Sequence, residues 1–196
     1  MRRPLILVST LMLLAAGPMT GSVHAQWTEP FSMVEFRASG TQNMNKNFLH
    51  DFWDQGFGGE LSIATPFYLG YAEAGGAFHR YRVAQPTVPA FNALLFYAGW
   101  GLGTDLGSVA RIEGGARIGN YRMSFDEDTF TGVKNESELA LMLHTRLAVR
   151  PFGPVSLHVS GSYMQVYTFV RLKLWYVSAG LSYRMRSPRW LKEMLN

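Results

Sequence analysis

The run Ser137 to Arg150, SELALMLHTRLAVR, constrains the fold more than any other part of the chain, because its residues alternate strictly between two chemistries. Leu139, Leu141, Leu143, Leu147 and Val149 lie on one face, interrupted only by Thr145. Ala140, Met142, His144, Arg146, Ala148 and Arg150 lie on the other. A period of two is that of a strand, whose side chains point to opposite sides at successive residues. One aliphatic face against one face of small and cationic residues suits a barrel wall, in a soluble barrel or in one that spans a membrane. The rest of the chain decides between the two.

Residues 1–25 read as a secretory signal peptide. Arg2 and Arg3 give the positive start, Pro4 to Ala16 is apolar and rich in Leu, and Ser22-Val23-His24-Ala25 ends in a small residue ahead of Gln26. A membrane anchor needs about 20 apolar residues, and this run is broken by Gly17-Pro18 after roughly a dozen. Removing Arg2 and Arg3 from the 18 basic residues leaves 16 against 14 acidic ones, a net charge of +2. So small an excess gives no basic stripe for nucleic acid. The chain has no cysteine, which excludes disulfides and Cys-based zinc sites. No later segment is apolar for the length of a membrane helix, so any insertion must be as a closed barrel, the other way to satisfy every backbone polar group in lipid.

Eight strand-like segments follow, each ending at turn chemistry. They are Phe31–Ser39, Gly58–Thr65, Tyr68–Arg82, Phe91–Gly103, Ser108–Ser124, the Ser137–Arg150 run, Val155–Val166 and Leu172–Met185. A polar loop, Gly40 to Gly56, separates the first two. Connections after the second, fourth and sixth segments are short; those after the first, third and fifth are longer. Short turns at one end and long loops at the other are the arrangement of outer-membrane barrels. The last connection, Tyr167 to Arg171, lacks Gly, Pro, Asn and Asp, which predicts a strand-like, extended hairpin tip.

A soluble barrel carrying an apolar ligand in the periplasm is the runner-up. It would need a solvated exterior rich in Lys and Glu, but the lysines are only Lys46, Lys134, Lys173 and Lys192, none of them mid-strand. The polar faces are built from Gly, Ala, Ser and a few charges, which fit the narrow interior of an eight-stranded barrel. Aromatics near the strand ends are assigned to two girdles at the lipid interfaces. Trp27, Phe31, Phe67, Tyr68, Trp100, Phe152 and Tyr183 go to one rim, and Phe78, Tyr81, Phe91, Tyr121, Phe125, Tyr163, Tyr167 and Phe169 to the other. The expected architecture is all-β: an eight-stranded antiparallel up-and-down transmembrane barrel over residues 26–185, with a periplasmic tail at 186–196.

The segment Ser178-Ala179-Gly180-Leu181-Ser182-Tyr183-Arg184-Met185 resembles the closing-strand signal of bacterial outer-membrane proteins. Ser178 takes its polar position, Gly180 its glycine, and Tyr183 and Met185 its hydrophobic pair; the resemblance implies recognition by the barrel-assembly machinery. Family members usually end the chain on an aromatic residue there, whereas Met185 is followed by further residues. With the leader and eight alternating segments, the mature chain resembles the small eight-stranded outer-membrane proteins of the OmpA/OmpX type. The resemblance implies a monomer in the cell outer membrane, in contact with its lipid and lipopolysaccharide.

Some barrels of this size modify lipid A, which requires a converging set of catalytic residues. His158-Val159-Ser160 resembles the His/Ser pair of the outer-membrane lipid A deacylases, in which the pair sits near the outer leaflet and an acid follows shortly. Here His158 lies five residues past Gly153, at the short-turn end, and no Asp or Glu occurs between Glu138 and Glu193. A hydrolase triad needs an acid to orient its histidine, so no enzyme, cofactor or metal is expected. His50, Asp51 and Asp54 in the first loop and Asp126-Glu127-Asp128 in the fifth read as solvated loop residues. The inward faces carry Glu35, Glu60, Glu73 and Glu113 against Arg37, Arg111, Arg117 and Arg146, with His144 nearby. Unpaired charges in so narrow a space are costly, which predicts a paired network that plugs the interior.

Overall fold

The computed structural model describes residues 29–85, 88–126 and 135–188. The leader, Trp27 and the tail beyond Pro188 lie outside them. Eight strands close into one barrel, each antiparallel to its sequence neighbours, with β1 returning to β8. They are β1 (Met33–Asn43), β2 (Trp53–Phe67), β3 (Gly70–Val83), β4 (Phe91–Leu106), β5 (Ala110–Phe125), β6 (Asn135–Phe152), β7 (Val155–Val166) and β8 (Leu172–Arg186). A single helical turn, α1 (Leu49–Phe52), sits between β1 and β2. Among the described residues no helix is long and apolar enough to cross a membrane.

The two faces of each strand separate as the period of two requires. On β6, Ala140, Met142, His144, Arg146 and Ala148 are buried, while Leu139, Leu141, Leu143, Leu147 and Val149 are exposed. The same inversion holds around the barrel: Leu61, Phe96, Ile118, Leu157 and Leu181 are all more than half exposed, so the outer wall is aliphatic and the polar residues are inside.

Several expectations need correction. The loop from Gly40 to Gly56 is shorter than expected, because Gly40–Asn43 and Trp53–Gly56 extend β1 and β2. Above the apolar band these extensions are held by ladder pairing and side-chain bonds, such as Asn43 N–H to Gln55 Oε1 at 2.8 Å, and burial alone would not reveal them. The tip between β7 and β8 is bent at 168–170 and is not strand-like; the Thr168 hydroxyl donates to the Val170 carbonyl at 2.6 Å. Tyr81, Phe91, Tyr121 and Phe125 do not belong to a lipid girdle. They have inward parity and are buried inside the barrel, Tyr81 and Tyr121 completely; parity, not nearness to a strand end, decides which way an aromatic side chain faces. Outward aromatics remain at Phe78, Tyr167, Phe169 and Trp175 toward the long connections, and at Tyr68, Trp100 and Tyr183 toward the short turns.

Candidate functional site: the barrel interior

The interior divides into two halves along the barrel axis. Toward the long connections it is apolar and aromatic, packing Tyr81, Phe91, Leu95, Tyr121, Met164 and Leu174 among its members. Phe91 stacks on Tyr81 with ring centroids 4.6 Å apart and meets Phe125 at 5.3 Å. Trp53 packs edge-on against Phe91 at 5.4 Å, and its indole N–H donates to the Pro89 carbonyl at 2.7 Å. From α1, Leu49 reaches down into the same cluster. Two polar pairs lie there: the Tyr81 and Tyr176 hydroxyls are 2.9 Å apart, and Thr41 Oγ1 lies 2.9 Å from His79 Nε2.

Toward the short turns the lumen is crossed by ion pairs. Arg37 on β1 donates to Glu35 at 2.9 Å, to Glu73 on β3 at 3.2 Å and to Glu113 on β5 at 3.1 Å. In a closed ring of eight strands β1 and β5 lie opposite, so the last of these bonds spans the barrel. Arg117 forks onto both Glu73 oxygens at 2.7 and 3.1 Å and reaches Glu60 at 3.0 Å. Arg146 donates to Glu35 at 2.9 Å and also to Glu113, its register partner across β5 and β6. Arg111 donates to Glu113 at 2.8 Å. His144 Nε2 sits 2.9 Å from the Tyr71 hydroxyl and 3.3 Å from Glu73. The nine charged and histidine positions read from the sequence thus form one connected cluster. Bidentate guanidinium–carboxylate contacts of this kind are among the stronger polar interactions.

Three members were not read from the sequence. Arg184 on β8 donates from Nε to Glu35 at 3.1 Å; it shares the parity of Ser178, Gly180 and Ser182 and was legible by that rule. Tyr97 donates to Glu60 and lies under Arg117, whose guanidinium carbon is 4.4 Å from the ring centroid. Tyr71 similarly faces Arg37 at 5.3 Å. Space for these large groups comes from glycines on the inward face of β4. A Cβ on Gly101 would sit 2.6 Å from the Tyr71 hydroxyl, and one on Gly99 2.8 Å from Arg117 Cγ.

The other candidates lie apart from this cluster. His158 is buried inside the barrel near the short turns, while the Ser160 hydroxyl donates to Ser178 at 3.2 Å and leaves the histidine without its serine. In the closing strand Ser178 is buried and Tyr183 and Met185 face outward. His50 Nδ1 lies 3.0 Å from Asn47 Oδ1, and no group of three or more potential metal ligands occurs among the described residues. Asp126 is held by the Arg80 fork, with one contact at 2.8 Å, and this bond keeps its carboxyl below the usual range; Glu127 and Asp128 lie outside the described residues.

No family model and no curated protein matches the sequence. Solved structures do match. Surface protein A (NspA) of Neisseria is 15% identical, covering 79% of this chain and 96% of its own, with a TM-score of 0.55. Ail, the attachment invasion locus protein of Yersinia pestis, is 15% identical over 81% of this chain and 100% of its own, with a TM-score of 0.48. The N-terminal barrel domain of Pseudomonas aeruginosa OprF is 16% identical over 80% and 100%, with a TM-score of 0.46. Identity this low carries fold and nothing finer, and on that ground the chain has the fold of the small eight-stranded outer-membrane β-barrels.

Proposed function

We propose that the protein is a monomeric integral outer-membrane barrel, closed to transport and without catalytic activity, whose role is structural or exerted through its external connections. The observation that carries this reading is the inverted wall: leucines and phenylalanines exposed around the outside, and carboxylates and guanidinium groups buried inside. In water such an exterior would be a very large apolar patch; in lipid it is the ordinary outer surface of a barrel. The same inversion argues against a soluble carrier, whose ligand would need an apolar cavity where this chain has a packed plug and an ion-pair network. Against an enzyme stands His158, enclosed in the barrel wall and out of reach of lipid, with no carboxylate bonded to it.

The long connections after β1, β3, β5 and β7 are taken as external, and the termini with the short turns as periplasmic. Assembly by the barrel machinery would read Tyr183 and Met185 from the outer face of β8. The test is fractionation of cells expressing the full chain, followed by electrophoresis of boiled and unboiled samples. We expect the mature chain in outer membranes and a mobility difference between folded and heated forms; a soluble periplasmic monomer would refute the reading.

A further inference from the structure

We propose that the lumen at its short-turn end binds one tetrahedral oxyanion of the phosphate class, held by Arg146 and His158 and admitted past Arg150 and Arg184. In the outer-membrane reading this end opens to the periplasm, and the proposal rests on that reading only for the side from which the ligand comes. Cations outnumber acids there. Arg111 and Arg150 share a single oxygen of Asp105, each at 3.4 Å. Glu35 takes Arg37, Arg146 and Arg184, and Glu113 takes Arg37, Arg146 and Arg111. Five arginines thus share three acids, and among the described residues only Arg37 draws on a further one, Glu73, which Arg117 already forks.

Two buried side chains have donors to spare. Arg146 is 5% exposed and places its Nη2 on Glu35 and Glu113, while its Nε and Nη1 have no partner among the described residues. His158 is as deeply buried, and its Nδ1 is likewise without a partner among them. Register brings the two together: His158 pairs with Ala148 on β6, which makes it a diagonal neighbour of Arg146, about 7–8 Å away and within reach of long side chains. The inward residues around them are small, namely Ala148, Gly180 opposite His158 on β8, and the buried pair Ser156 and Ser182 in the next inward row toward the turns. Beyond that row stand Arg150 and Arg184, whose side chains are 27% and 23% exposed. The wall of β7 and β8 has no carboxylate to answer these donors, because no Asp or Glu occurs between Glu138 and Glu193. Buried donors and charges left uncompensated are costly, and an anion compensates both. A carboxylate accepts in the plane of one guanidinium fork, whereas guanidinium, imidazole and hydroxyl donors from three strands suit an anion with oxygens on every side. All of these groups face inward, so the ligand is a solute of the aqueous phase and not a membrane lipid.

The test uses the mature full chain folded into micelles of an uncharged detergent, with radiolabelled inorganic phosphate in equilibrium dialysis at fixed ionic strength. We expect one phosphate per barrel, displaced by sulfate and about tenfold less well by acetate. His158→Leu and Arg150→Gln should each weaken binding about tenfold. Arg122→Gln, exposed on the outer face toward the long connections, should leave it unchanged. Absence of saturable binding by the wild type overturns the site, and so does an equal loss in Arg122→Gln, which would show a diffuse effect of charge. Undiminished binding by His158→Leu overturns the imidazole contact, and by Arg150→Gln the entry at the mouth. Acetate competing as well as sulfate overturns the assignment to a tetrahedral anion. Glycerol 3-phosphate tells the source: competition equal to that of inorganic phosphate assigns the site to the head of a phosphomonoester, and failure to compete assigns it to the free ion. The mobility difference between boiled and unboiled samples verifies the fold of each variant, and Arg150→Gln, at a half-exposed position, keeps the test open should His158→Leu not fold. Failure of the outer-membrane reading would look different, as a chain that fractionates with soluble proteins whatever its folded barrel binds.

Discussion

Glu73 concentrates the interior chemistry in one side chain. Its carboxylate is wholly buried and takes contacts from Arg117, Arg37 and His144. Removing it takes one carboxylate from each of two buried guanidinium groups, leaving Arg117 with Glu60 and Arg37 with Glu35 and Glu113, and breaking a buried pair costs about 3–5 kcal/mol. Glu73→Ala should therefore lower the urea midpoint of the lipid-embedded barrel by that order. Replacing both partners, Glu73→Leu with Arg117→Met, should recover most of the loss, because a matched apolar pair carries no desolvation penalty. Should the double variant be no better than the single one, Glu73 would be holding its neighbours in place by shape and not by charge. The parity of the chain showed which charges face inward. It did not show which pairs form, since Arg37 and Glu113 stand 76 residues apart and meet only once the barrel is closed.

At the scale of the strand, β4 makes the network possible. Its outward residues Phe96, Trp100 and Leu102 are large and exposed, while Gly99, Gly101 and Gly103 stand where bulky groups from β3 and β5 cross. A Cβ on Gly101 meets both the Tyr71 ring and the Gly114 carbonyl oxygen at 2.6 Å, whereas one on the outward Gly114 meets nothing closer than 3.6 Å. Overpacking costs about 1–3 kcal/mol, so Gly101→Ala should destabilise by that amount in urea titration and Gly114→Ala should be nearly silent. Equal effects at the two sites would mean that backbone freedom, not interior space, selects glycine here. The sequence pattern recovered all eight strands because each crosses a boundary between lipid and a packed interior, and that boundary imposes the alternation. Strand ends were misjudged where the boundary is absent: Gly40–Asn43 and Trp53–Gly56 rise above the aliphatic wall, where ladder pairing continues without a pattern to reveal it.

For the whole molecule the decisive feature is that the lumen is filled twice, by unlike means. On β6 the outward aliphatic run from Val149 to Leu139 covers about 34 Å of strand at about 3.4 Å per residue. At the tilt usual for such barrels this stands about 25 Å tall, the height of a lipid-facing band. Behind that band lie the ion-pair network on the short-turn side and the aromatic plug on the other. Nearness to a strand end does not distinguish the plug from an interface girdle; only the inward parity of Tyr81, Phe91 and Tyr121 does. Eight strands leave a lumen that side chains just fill, and on the proposed reading either half stops ions. We therefore expect planar-bilayer recordings of the wild type to show no steady openings. Phe91→Ala with Tyr121→Ala should loosen the upper half and still conduct nothing, because the cross-lumen bonds of Arg37 and Arg117 remain. Glu73→Ala alone should leave the aromatic plug intact and stay closed as well. Only a variant that adds Arg37→Ala to all three substitutions, so that the cross-lumen bond to Glu113 is also lost, should pass current, and openings in the Phe91 and Tyr121 variant alone would show that the ion pairs do not close the lumen.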